Sequence, residues 1–563
     1  MQRDPDMPVW PGQEAPGTQR RSSRKWVIGA VAGVAIVGAG GVAAAFALQS
    51  PAKKGADSLS ADQARAAAVV TTPTAAQAAT ATQQFLASWA GAQNAAAAQA
   101  TDQPGAAQAA LQGYATGLHT TKVAFTGVTA GAADPAVAHA VRTTFHATAT
   151  LEGGTALSYA GTADVIVVNG KPEIHWQPSV LYPGLQAGQT LTYGKISATS
   201  AIVVDRHGAT LTTKAYPSLG GVISSLQAED AGKVTQTPGE GIAITGADGK
   251  TVKVLKTVRA AVPGTIKTTL DAAIQAAAEK AVNDTNIGKM PADVVAIDYT
   301  TGEIRAAAFR GGDAALNGAA APGSTMKMIT SATLFDKAGA HPSDPAPCVK
   351  STVINGQTFH NFQNEMDPTA NLTKDFAISC NTGFINEATG KLHSGDLREE
   401  AQDVFGIGDW HIGVPTTDGN VPDENGSTNL IAAQSIGQGQ VTMNTLAMAS
   451  VVATIADTGF HQPIIVPGLP QQTAKRPISA TTAAEIRQMM VVTATASYGT
   501  AEPRMQGING GAKTGTAETA SGTNGWFAAY DTDNHLAVDA LVIGGKEGVL
   551  TAGYVARDVL LAG

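Results

Sequence analysis

Cysteine, aromatic side chains and charge are all scarce in this 563-residue chain. Its two cysteines, Cys348 and Cys380, are too few for a disulfide-stapled scaffold or a multi-cysteine zinc site. Eleven histidines are scattered without HExxH or comparable ligand spacing, so neither a metal nor a cofactor is expected. Charged residues make up 15% and the net charge is only −8. Apart from one N-terminal cluster the basic residues are dispersed, which argues against a nucleic-acid partner. No long internal repeat is present. What remains is an Ala- and Gly-rich chain whose length implies two or three folded domains.

The basic cluster is Arg20, Arg21, Arg24 and Lys25, followed by an uncharged stretch from Trp26 to Leu48. That stretch is long enough to cross a bilayer as one helix. Four cations before it, against Lys53 and Lys54 after it, place the N-terminus in the cytoplasm and the rest outside the cell membrane. A cleavable signal peptide is the other reading, since Ala45-Phe46-Ala47 has the A-x-A form, although the apolar run exceeds a usual signal core. The expected organisation is therefore a polar cytoplasmic tail over 1–25, an anchor over 26–48 and a flexible linker over 49–74.

From about Ala75 to Leu118 the pattern is helical, with Phe85, Leu86 and Trp89 at helical spacing and Pro104-Gly105 punctuating the next helix. Strands follow: Val141 to Ala149 alternate, and Tyr159–Val168 and Glu173–Val180 are joined by a turn at Asn169-Gly170. This predicts a compact, cone-like α+β domain over 75–185. Residues 186–262 read as a connecting pedestal, and 263–563 as one large α/β domain. Asp271 is a plausible N-cap for a helix Ala272–Val282, and Asp293–Asp298 with Glu303–Phe309 predict a hairpin.

Three short motifs occur in order within that last domain: Ser324-Thr325-Met326-Lys327, Ser379-Cys380-Asn381 and Lys513-Thr514-Gly515. Singly they are common; Ser22-Ser23-Arg24-Lys25 and Ser427-Thr428-Asn429 repeat the first two forms elsewhere. Context separates them, because Pro322-Gly323-Ser324 opens an apolar helical segment ending near Gly339. Positions i and i+3 share a helix face, so Lys327 can bring its amine to the Ser324 hydroxyl. A serine needs such a base to become a nucleophile, and a lysine serves only when partly neutral. Desolvation and a second cation, Lys513, would both lower its pKa. Ser379 could relay a proton, and Asn381 could bind a carbonyl or Lys327.

The three motifs together resemble those of serine β-lactamases and penicillin-binding proteins. Ala321-Pro322-Gly323-Ser324-Thr325-Met326-Lys327 is similar to the family's P-G-S-T-F-K, with Met326 in place of the commoner Phe. Ile436-Gly437-Gln438-Gly439 resembles its glycine-rich segment between the second and third motifs. Ala512-Lys513-Thr514-Gly515-Thr516-Ala517-Glu518, with Gly525-Trp526-Phe527-Ala528 on the next strand, resembles its third. Val204-Asp205-Arg206-His207-Gly208 resembles the D-R-x-G element of class B members, and the 75–185 segment resembles the nuclear-transport-factor-2-like domain that precedes many transpeptidases.

The resemblance implies a serine transpeptidase domain of β-lactamase-like fold, with a central antiparallel sheet flanked by helices. It implies Ser324, Lys327, Ser379 and Asn381 as catalytic residues, and Lys513, Thr514, Gly515 and Thr516 as substrate-binding ones. The backbone N–H groups of Ser324 and Thr516 would form an oxyanion hole. The implied activity is cross-linking of D-Ala-D-Ala stem peptides in peptidoglycan synthesis, with β-lactams as covalent inhibitors. Stem peptides, the cytoplasmic membrane and the cell-wall synthesis machinery are the implied partners. A D,D-carboxypeptidase, a β-lactamase and a non-catalytic β-lactam sensor or scaffold are the competing readings. Cys348 and Cys380 either form a disulfide near the second motif or stay as two separate buried thiols.

Overall fold

The computed structural model describes residues 71–133, 136–198, 200–230 and 233–563. The expected tail and anchor, and most of the linker, lie outside these residues. Among the described residues, no helix is long and apolar enough to cross a membrane. The described residues divide into two compact units, one of 71–198 with 236–263, the other of 200–235 with 264–563. The stretch 186–262 is thus shared between the two units.

In the first unit the helical stretch is three helices, Ala75–Ala90, Asn94–Gln99 and Pro104–Leu118. Thr74 and Gln77 close the first with a reciprocal capping box, and Ala92, at φ 56°, turns the chain between the first two. Four antiparallel strands follow in a meander: Thr120–Ala133, Val141–Leu151, Ala156–Val168 and Lys171–His175. Along Val141–Leu151 side chains alternate between buried and more exposed, so one face packs Phe145, Ala147 and Ala149 into a core with Phe85, Trp89 and Leu111. Asn169 and Gly170 both have positive φ, as a tight two-residue hairpin requires. The strand predicted over Glu173–Val180 stops at His175. Trp176 N–H donates to Asp102 Oδ1 (2.7 Å) instead of to a neighbouring strand, and Pro178 begins a 3₁₀ turn. His175 Nδ1 meets the other oxygen of Asp102 at 2.7 Å, an acid–base pair that the sequence did not reveal and that ties off this strand end.

The second unit is built on five antiparallel strands: β1 Ala292–Asp298, β2 Glu303–Arg310, β3 Gly510–Thr519, β4 Gly522–Asp531 and β5 Leu536–Val542. Their order is β2-β1-β5-β4-β3, so β3 lies at an edge. Its helices include α1 Ala272–Ala281, α2 Lys327–Ala338, α3 Leu372–Ile378, α4 Asn381–Lys391, α5 Thr428–Ser435, α6 Thr445–Asp457, α7 Ala480–Thr495 and α8 Ala552–Leu560. Side-chain alternation sends Val294, Ala296, Phe527 and Val538 to one face, where Ile274 of α1 and Val555 of α8 cover them. Val295, Ile297, Ala528 and Leu541 point to the other, into the larger core formed with α2, α6 and α7. β5 is buried along its whole length. Asp271 caps α1 through Ala273 N–H and Ile274 N–H. Asp205, from the D-R-x-G element, accepts from His207 N–H, Ala209 N–H and Ala272 N–H, holding that turn against the start of α1.

Candidate active site

Ser324 lies in a 3₁₀ turn, Gly323–Met326, that runs directly into α2, rather than on the first turn of an α-helix. In 3₁₀ geometry side chains at i and i+3 eclipse, which brings Lys327 Nζ to 3.0 Å from Ser324 Oγ. The turn is placed by close backbone contact: Gly323 has φ +55°, and a Cβ there would come 2.5 Å from Thr516 O of β3. Only glycine permits that approach. Met326, in place of the family's Phe, is fully buried in the core.

Lys327 is completely buried and donates to three acceptors: Ser324 Oγ, Ser379 O at 2.7 Å and Asn381 Oδ1 at 2.8 Å. Lys513, on β3 and equally buried, donates to Ser379 Oγ and Thr514 O, each at 2.8 Å. The two ammonium groups sit 5.5 Å from the ring centroids of Phe384 and Phe376 respectively. Burial pushes the Lys327 pKa well below the usual lysine range, and the neighbouring charge of Lys513 pushes it further. Burial brings Lys513 down to about 7, against the opposing pull of Glu365. Ser324, 8% exposed, therefore faces an amine that can be neutral near physiological pH.

The second motif is an elbow between helices. Ser379 caps α3 in the left-handed region at φ 66°, a strained conformation for a non-glycine residue. Cys380 then precedes α4 but offers no side-chain cap. That role falls to Asn361, from the loop after a short hairpin of Ser351–Ile354 with Gln357–His360. Its Oδ1 accepts from Asn381 N–H (2.8 Å) and Thr382 N–H (2.9 Å), while its Nδ2 donates to Val349 O and Glu365 O, both at 2.7 Å. Asn381 Nδ2 in turn donates to His360 O at 3.2 Å. Cys348 and Cys380 form a disulfide across this elbow, with Cα atoms 6.0 Å apart. Asp375 on α3 lies beside it, both carboxyl oxygens buried and without a partner, and burial raises its pKa to about 8. Among the described residues, Cys348, Asp375 and Cys380 are the one group spaced like metal ligands, and its two sulfurs are joined to each other.

These residues floor a groove of about 530 Å³ lined by Ser324, Ser379, Asn381, Thr514 and Thr516. The sequence-predicted residues of all three motifs thus converge, with Gly515 between two groove-lining threonines on β3. Gly515 itself packs closely, since a Cβ would lie 2.9 Å from Thr325 Cγ2. Ser427 of the repeated S-x-N form instead caps α5 through Leu430 N–H. Sequence reasoning missed Asn361 and Thr500; the latter's hydroxyl lies 2.7 Å from Thr514 Oγ1 and donates to Ala377 O. Neither sits in a motif, and no local pattern marks them. Glu518, the last residue of the stretch that resembles the third motif, lines the groove with Glu365 and Glu547.

Residues 293–560 match the penicillin binding protein transpeptidase domain, and residues 77–189 the NTF2-like N-terminal transpeptidase domain. Over 269 residues the chain is 29% identical to the peptidoglycan D,D-transpeptidase PbpA of Mycolicibacterium smegmatis, covering 42% of this chain and 53% of that protein. It is 27% identical over 238 residues to the protein of the same name from Mycobacterium tuberculosis, covering 37% and 46%. The chain is thus matched over about half the length of these relatives. Pseudomonas aeruginosa PBP2 shares the fold at a TM-score of 0.51 and 17% identity, over 65% of this chain and 96% of that one. Residues 77–189 are thus an NTF2-like N-terminal transpeptidase domain and residues 293–560, which carry these motifs, a penicillin-binding protein transpeptidase domain.

Proposed function

We propose that the protein is a peptidoglycan D,D-transpeptidase acting through an acyl-enzyme on Ser324. The observation that carries this reading is the sharing of one buried amine, Lys327 Nζ, between Ser324 Oγ and Asn381 Oδ1, with Lys513 held on Ser379 Oγ beside it. Neutral Lys327 takes the hydroxyl proton as Ser324 Oγ attacks the carbonyl of the penultimate D-Ala. The backbone N–H groups of Ser324 and Thr516 stabilise the oxyanion that forms. As the tetrahedral intermediate collapses, the C–N bond breaks and the proton passes through Ser379 to the departing D-Ala amine. An amine from a second stem peptide then attacks the ester, its proton returning to the serine oxygen as the new amide forms. Lys513 and Thr514 hold the donor's terminal carboxylate, with Gly515 giving β3 its close fit against the nucleophile's turn. A β-lactam would enter the first half of this sequence and stop at the ester.

The sequence pattern supports a single-pass anchor at 26–48 with the catalytic unit outside the membrane. The N-terminal domain, expected over 75–185, serves in this reading to position that unit. The test is covalent labelling of the full-length protein in detergent by a fluorescent penicillin, with Ser324→Ala as control. Persistent label mapped to Ser324 and lost in the variant is expected, together with D-Ala release from a stem-peptide donor when an amine acceptor is joined to it. Labelling without any peptide turnover would support a sensor instead. Rapid loss of the β-lactam would support a β-lactamase, and peptide hydrolysis without amine transfer a carboxypeptidase.

A further inference from the structure

We propose that Gln438 is a substrate-binding residue, its side-chain oxygen accepting a hydrogen bond from a backbone N–H of the acyl-donor peptide. The inference rests on the transpeptidase reading above and names a contact that the three motifs do not supply.

Gln438 sits in the turn that ends α5. Gly437 N–H donates to Gln434 O and Gln438 N–H to Ala433 O, each at 2.9 Å, closing the helix end. Gly437 and Gly439, on either side, have φ +71° and +72°. The turn is braced on the nucleophile's own loop. Gly323 N–H donates to Gly437 O at 3.0 Å, and a Cβ on Gly437 would fall 2.1 Å from Gly323 O. The backbone that carries Gln438 is therefore fixed relative to the residue just before Ser324.

Its side chain lines the groove with Ser324, Asn381, Thr514 and Thr516, yet is only 4% exposed. Its Oε1 has no hydrogen-bond partner among the described residues. Other buried polar atoms share that condition, including those of Ser331, Ser450 and Asp539, but none of those residues lines the groove. A buried acceptor left unpaired is costly, and native proteins seldom tolerate one without a reason. Around the groove Lys327, Lys513, the Asn381 amide and the Thr514 hydroxyl suit a peptide's carbonyl and carboxylate groups, while the carboxylates of Glu365, Glu518 and Glu547 in its lining are acceptors. A peptide donor also carries N–H groups, and among the described lining residues Gln438 Oε1 is the acceptor that is buried, unpaired and carried on a turn braced against the nucleophile's loop.

The test uses the full-length protein and a stem-peptide donor ending in D-Ala-D-Ala, N-methylated at one amide at a time. Acylation rate constants are measured for the wild type and for Gln438→Leu. In the wild type one methylation position should slow acylation by about 5- to 150-fold, the range for a lost hydrogen bond to a buried acceptor. In Gln438→Leu the parent peptide should slow by a similar factor and the penalty at that position should vanish, while penalties at other positions persist. Gln438→Glu, which keeps an acceptor oxygen, should restore the penalty. Thermal stability should not fall in the Leu variant, because an unpartnered polar atom has been removed. Equal slowing of every peptide with all penalties intact, or a fall in stability with unchanged rates, would overturn the proposal and leave Gln438 a packing residue. Should the Leu variant not fold, Gln438→Met makes the same comparison. Failure of the wild type to be acylated by any donor would overturn the transpeptidase reading itself, a distinguishable result.

Discussion

Replacing Asn361 with alanine removes a side chain that no motif contains but on which the second motif hangs. Asn361 is 2% exposed, and its amide makes four short hydrogen bonds, two as acceptor and two as donor. The two it accepts come from Asn381 N–H and Thr382 N–H, the first donors of α4, where Cys380 supplies no cap. Losing a cap costs about 1 kcal/mol, and each buried backbone group left unpaired about 1 kcal/mol or more. With Glu365 O also orphaned, while Val349 O keeps the Thr382 hydroxyl at 2.7 Å, the variant should lose about 2 kcal/mol of stability in urea unfolding. Asn381 holds Lys327, so the same change should slow penicillin acylation at least tenfold in folded protein, measured as the second-order rate constant. Asn361→Asp keeps the acceptors at the helix N-terminus, where a negative charge is favourable, but not the donors. It should fall between the wild type and the alanine variant in both measurements. An alanine variant within about 0.5 kcal/mol of the wild type and equally fast in acylation would refute the argument that this one side chain sets the elbow.

The Cys348–Cys380 disulfide closes a loop of sequence separation 32, so Cys348→Ala with Cys380→Ala should lower the unfolding free energy by up to about 4 kcal/mol in denaturant titrations. Asp375 has a folded-state pKa of about 8 against 3.8 for the ordinary group. The folded chain keeps that proton across this window while the unfolded chain gives it up, so this group makes the protein less stable as pH rises from 3.8 to about 8. Asp375→Asn should flatten that dependence when urea midpoints are compared across the window; an unchanged slope would contradict the assignment. Lys513, at about 7, carries its charge below that pH and loses it above. Acylation by a donor with a free terminal carboxylate should therefore decline above about pH 7, and a carboxamide-ended donor should not share the decline.

How much of this was legible in the sequence depends on how local each interaction is. The pairing of Ser324 with Lys327 needs only three residues of spacing, and the hairpin of β1 and β2 only two short, mostly apolar runs that follow one another closely. Asp271 was readable as a cap because a cap acts within its own turn. The strand end at His175 was not, since it depends on Asp102, 73 residues earlier along the chain. Asn361 escaped for the same reason: its partners at 349, 365, 381 and 382 are brought together by the fold. The disulfide stayed an open choice because sequence alone gives no distance between Cys348 and Cys380. Gln438 stood inside a segment singled out by resemblance, but only burial and the lack of a partner distinguish it from its neighbours.

The placement of β3 at the rim of the sheet has a cost that the chemistry obliges the protein to carry. An outermost strand leaves one side of its backbone unpaired and is open to any extended chain. Proteins commonly blunt such an edge with proline, charge or a bulge. Here Lys513, Thr514, Gly515 and Thr516 occupy that very strand, and its pairing with β4 runs from Gly510 to Thr519 without a register shift. The edge cannot be disguised without altering the motif. Protection has to come from its surroundings instead: a groove of about 530 Å³ whose walls, from His360 and Phe362 on one loop to Glu547–Val549 on another, crowd the approach. Loosening those walls would then carry a risk beyond lost activity, because a widened groove exposes a sticky edge. Variants in the loops around 360 and 547 that impair turnover should be examined for self-association as well.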